Sequence, residues 1–129
     1  GLFLLGVVTQ VFFAGMSVVA RQMSWNSHIG LGHLLSAPLL IMLISQYTGH
    51  LSGRMKTLSW LLFGVYILQA DVLIFLRATA PEASAFHPVL ALVDFTLGLT
   101  LLRAAWSLAR QSQVQAGFQS ELKTTAKAD

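Results

Sequence analysis

The sequence predicts an all-α integral membrane protein: a four-helix bundle running up-down-up-down. Three observations predict it. Hydrophobic residues make up 55% of the 129 residues and charged residues only 10%, against about a quarter charged in soluble domains. Mean hydropathy is +0.68. Four apolar windows each approach the ~20 helical residues needed to cross ~30 Å of hydrocarbon, and the joints between them are short, which favours antiparallel neighbours.

The first window, 2–20, opens on "GLFLLGVV" without a basic n-region or an A-x-A exit, so a retained helix is expected rather than a cleaved signal. No start methionine is present, and a few leading residues are expected before Gly1. After "RQMSWNS" comes the second window, 28–47, with Ser27 as its expected N-cap. Pro38 is expected to kink this span one or two turns below His33. "TGHLSGRMK" leads into the third window, 57–77, with Thr57 as its expected cap, and His50 in that joint reads as a solvated loop residue. "ATAPEASAFHP" leads into the fourth, 88–108, where Pro88 falls in a first turn that needs no N–H from it. Residues 1–109 thus read as the membrane domain. Residues 110–129 read as a polar tail, a helical extension that frays into partial disorder.

Charge gives the direction. Arg54, Lys56, Arg103, Arg110, Lys123 and Lys127 fall on the side of the N-terminus, and only Arg21 and Arg77 on the other. The positive-inside bias therefore puts both termini in the cytoplasm. Trp60, Trp106 and Tyr47 fall near that inner face and Trp25 near the outer one, as interfacial belts do. The sequence pI is about 9.8, but the basic residues are scattered, so no nucleic-acid partner is expected. The absence of cysteine excludes disulfides, iron–sulfur clusters and thiolate chemistry.

Polar residues within apolar windows carry the functional reading, because an unpaired polar group in hydrocarbon costs several kcal/mol. His28, His33, His87, Asp71, Asp94 and Arg77 all fall in the outer half, whereas the inner half reads as almost devoid of polar groups. The second and fourth windows run in the same direction, so His28 and His87 come to one level. Two imidazoles facing each other across a bundle are the arrangement that holds a b-type haem by bis-His ligation. His33 lies about 140° around the helix from His28, so one of the two ligates; His28 matches His87 in level and His33 is the alternative. Gly32 would let a flat macrocycle approach the backbone, and Arg21 and Arg77 suit its propionates. Asp71 and Asp94 either orient the histidine rings from behind or neutralise Arg77. Gln10 and Gln69 read as interhelical hydrogen-bonding groups, and Gly15, Gly30, Gly32, Gly64 and Gly98 as close-packing positions.

The plainer reading of the histidines is that they are interfacial residues bonded to headgroups or loop carbonyls. Zinc lacks a sufficient ligand set. Di-iron chemistry lacks its Glu-x-x-His motifs, and no serine sits in a hydrolase-like context.

The order "QVFFAG", "HIGLG", a mid-helix glutamine and "HPVLA" resembles a family of small four-helix bacterial membrane proteins of unassigned function, over nearly all of residues 2–108. The helix starts His28 with Gly32 and His87 with Pro88 are also similar to those of membrane b-type cytochromes. The resemblance implies a haem-binding bundle in a bacterial inner membrane. A second pair of inward histidines is missing, so it implies one haem near the periplasmic face, with a quinone or a cytochrome as electron partner. The alternative is a non-catalytic accessory subunit of a larger respiratory or photosynthetic complex, binding lipid, quinone or pigment. No constellation for turnover is present under either reading.

Overall fold

The computed structural model describes residues 1–49 and 51–128; His50 lies outside them. The protein is all-α among the described residues, with four helices. α1 is Leu2–Val18. α2 is Trp25–Thr48 and α3 is Gly53–Leu76. A 3-10 turn, Pro81–Phe86, leads into α4, His87–Ala128.

Helices α2, α3 and α4 are long and apolar enough to cross a membrane; α1, equally apolar, has 17 residues. Their outward faces are greasy. Phe75 is 83% exposed, Leu2 77%, and Ile41 and Ile44 67% each. A contiguous apolar surface of this kind is foreign to water-soluble monomers. This is a membrane protein.

The helix starts differ from those expected. α2 begins at Trp25 because Ser24, in extended backbone, accepts from the N–H of Asn26. α3 begins at Gly53 because Ser52, also extended, accepts from Met55. A cap needs non-helical dihedrals, and Ser27 and Thr57 are already inside the helices.

Two helices are irregular. α2 breaks at Leu35, just past His33, between the segments Trp25–Leu34 and Ser36–Thr48. Pro38 has no N–H and its ring crowds the carbonyl of Leu34, four residues earlier, so the break falls ahead of the proline. There the Leu35 N–H is shared between Leu31 and Gly32, at 3.1 and 3.2 Å. α3 widens into a π-helix over Leu68–Val72, where Leu73 N–H bonds the Leu68 carbonyl. α4 has 42 residues, about 63 Å at 1.5 Å per residue, twice a hydrocarbon core. The segment expected to be a tail continues the helix to Ala128, consistent with its run of good helix formers such as Gln, Ala, Leu and Lys.

The helices close a ring: α1 packs on α2 and α4, and α3 packs on α2 and α4. Phe3, Val7, Leu35, Leu39, Leu62, Tyr66 and Leu101 form the core at its centre. Phe3 meets Tyr66 edge-on, with centroids 6.3 Å apart.

Only some of the expected glycines pack closely. Gly15, Gly30 and Gly64 face open space. A methyl at Gly32 would sit 3.0 Å from Gln10 Nε2, one at Gly98 would sit 3.0 Å from Leu4, and one at Gly6 would collide with Leu35. The core half also holds polar groups, where the sequence predicts almost none. Gln46 is fully buried with neither side-chain atom hydrogen-bonded. Ser59 is buried too and returns its hydroxyl to the Met55 carbonyl, 2.9 Å away.

Candidate functional site

Beyond the core, the far end of the ring encloses an apolar cavity of about 200 Å³, lined from all four helices. His28 and His87 both line it, and their ring centroids are 6.0 Å apart with planes inclined at 61°. Trp25 packs against His28, with centroids 4.8 Å apart.

Both rings are fixed in the same way. His28 Nδ1 donates to the main-chain carbonyl of Gln10 at 3.1 Å. His87 Nδ1 donates to the main-chain carbonyl of Gln69, also at 3.1 Å. A carbonyl only accepts, so each Nδ1 carries the hydrogen. A neutral ring with Nδ1 protonated leaves Nε2 as a free lone pair. Each pair is also separated by the same 18 residues of chain. The sequence hides this, because the acceptors are backbone atoms.

The glutamine side chains add the next layer. Gln10 Nε2 donates to the His28 carbonyl at 2.8 Å, so Gln10 and His28 grip each other twice. Gln69 Nε2 donates to Asp94 Oδ2 at 2.6 Å. Tyr66, buried between core and cavity, donates its hydroxyl to the Gly32 carbonyl. The interhelical role expected of Gln10 and Gln69 is thus seen as direct bonds.

The remaining candidates lie as follows. His33 lines the cavity, but it is exposed and no ring hydrogen bond is present among the described residues. Gly32 lines the cavity beside Gln10. Asp94 is fully buried and is bound to Gln69, not to a histidine or to Arg77. Asp71, Arg77 and Arg21 are exposed. Arg21 sits in the turn after α1 with φ 54°, the single non-glycine residue in the left-handed region among the described residues. No cluster of three or more His, Cys, Asp or Glu suited to a metal ion occurs among the described residues.

Fold and site together define a four-helix membrane protein with two tautomer-fixed imidazoles packed edge-on beside an apolar cavity. Residues 10–75, just over half of the chain, match the family of unknown function DUF6220, and the protein belongs to that family. The matched stretch takes in Gln10, His28 and Gln69 and ends before His87 and Asp94. The family has no assigned function and brings no likeness to cytochromes. No curated protein and no solved structure matches the chain.

Proposed function

We propose that the protein is a four-span, up-down-up-down bundle of a bacterial inner membrane that holds one b-type haem between His28 and His87. The observation that carries this reading is the pairing of the rings. An imidazole nitrogen binds a metal at ~2.0–2.1 Å, which spaces the centroids of two opposed ligand rings by about 6 Å; those of His28 and His87 are 6.0 Å apart, in an edge-on contact that the rings would have to leave to oppose each other. Both rings also have the hydrogen on Nδ1, which leaves Nε2 to ligate.

Antiparallel order is supported by the contact pairs. Gly6 meets Leu35 while Gln10 meets His28, and Leu62 shares the core with Leu101 while Gln69 meets His87. At 17 residues, α1 is at the short end of the range for a span. The basic residues around α2–α3 and beyond α4 favour cytoplasmic termini and an outer site.

Haem, when bound, supplies one-electron redox chemistry. The chain's own residues do the holding. His28 and His87 offer lone pairs, and the Gln10 and Gln69 carbonyls fix the ring planes. The lining is largely apolar, and the exposed Arg21 and Arg77 would be the partners for propionates. A single outer-side haem would exchange electrons with a quinone or a cytochrome, or within a larger membrane complex. We assign no turnover chemistry.

One observation favours a second reading, an accessory subunit that holds a quinone headgroup or a lipid. The cavity, at about 200 Å³, is below the ~300–1,000 Å³ of most ligand sites. It takes a single ring as it stands, and a macrocycle only with its rim outside or the helices parted.

The visible spectrum of the purified protein, before and after dithionite, separates the two. Haem gives a Soret band and sharp reduced α and β bands that disappear in His28→Ala and in His87→Ala and persist in His33→Ala. A colourless, folded protein after expression with added haem overturns the haem reading and leaves the accessory role.

A further inference from the structure

The pair formed by Asp94 and Gln69 has a defect that one proton repairs. Asp94 is fully buried and Gln69 is 8% exposed. Their only mutual hydrogen bond runs from Gln69 Nε2 to Asp94 Oδ2, at 2.6 Å. The other atom of each group, Asp94 Oδ1 and Gln69 Oε1, is a buried acceptor with no donor. No lysine or arginine bonds the carboxylate among the described residues. A bare carboxylate in a dry interior is strongly disfavoured, and it neutralises when no cation is at hand. A carboxylic acid and a primary amide can close a ring of two hydrogen bonds. The amide N–H donates to the acid carbonyl, and the acid O–H donates to the amide oxygen. That arrangement satisfies both orphaned oxygens.

We propose that Asp94 holds a proton in the folded protein and forms with Gln69 a neutral acid–amide pair, a proton-holding site inside the membrane. The inference does not rest on haem. Two ionisable groups of the same region are already engaged: Tyr66 on α3 donates to Gly32, and His87 on α4 donates to the Gln69 carbonyl. Asp71 on α3 is exposed. Gln69 therefore bonds Asp94 through its side chain and His87 through its backbone, so the stored proton lies one residue from the cavity. An intramembrane carboxyl placed this way is suited to exchanging its proton with a group held in the cavity.

Infrared spectroscopy of the full chain, at neutral pH in a detergent without ester groups, reads this directly, because solvent-exposed carboxylates are ionised there. The wild type should show one carbonyl band of a protonated carboxylic acid, moving to lower frequency in D2O. Asp94→Asn keeps the shape and both hydrogen bonds, and it should lose the band. Gln69→Leu should keep the band and move it to higher frequency, since the amide no longer bonds the acid. A wild type without the band, a band that survives in Asp94→Asn, or a band seen only after sodium removal would each overturn the proposal, the last in favour of a cation site. Should Asp94→Asn fail to fold, the wild type and Gln69→Leu still decide.

Discussion

A methyl group at Gly6 would overlap the side chain of Leu35, whereas one at Gly15 or Gly64 would meet nothing. The three glycines look alike in sequence, and only the helix rotation separates them. Gly6→Ala is expected to cost ~1–3 kcal/mol through overpacking. Gly15→Ala and Gly64→Ala should stabilise by up to ~1 kcal/mol through helix propensity. Thermal unfolding in detergent checks all three. The same limit applies to the site. His28 and His87 stand out in the sequence because imidazole is unexpected at the edge of an apolar window. The groups that hold them do not stand out, because every residue has a carbonyl and only the fold selects those of Gln10 and Gln69. Gln46 escapes notice for a related reason: one glutamine near a helix end looks interfacial until packing buries it.

Among the elements, three helices follow directly from hydropathy, since a long apolar run in lipid has no other way to satisfy its backbone. Their irregularities follow less directly. Pro38 announces a break but not its position, which depends on the carbonyl of Leu34. The π-helix at Leu68–Val72 has no compositional mark at all. It contains Gln69, which bonds both His87 and Asp94, and such bulges are frequent at functional positions. Removing one residue from it, by deletion of Ala70, should restore α-geometry with the two ends of α3 kept close to their present rotation, since a π-turn is an α-turn with one residue inserted, and should move Gln69 out of its setting. Circular dichroism is expected to show an unchanged helix content, while the haem absorbance that the proposed function expects of the wild type is weakened, because Gln69 no longer sets His87.

At the scale of the whole molecule, the proposed orientation rests on charge alone, and a chain without cysteine is well suited to testing it. A single Ser112→Cys should react with an impermeant maleimide only in inside-out vesicles, and Ala83→Cys only in right-side-out cells. The opposite pattern would place the cavity on the cytoplasmic side. The ring of four helices is readable from spacing and joint length, but its cavity is not, because a void depends on side chains from four segments at once. The equal chain separation of the two histidine–carbonyl pairs has a practical consequence. The stretches between partners act as rulers: the first spends its length on a turn through Arg21, the second on the 3-10 segment Pro81–Phe86. Lengthening either by one residue would detune an imidazole while leaving the greasy contacts of Phe3, Leu39 and Leu62 untouched. Folding and the setting of the imidazoles are therefore separable in this molecule, and its connections are where they part.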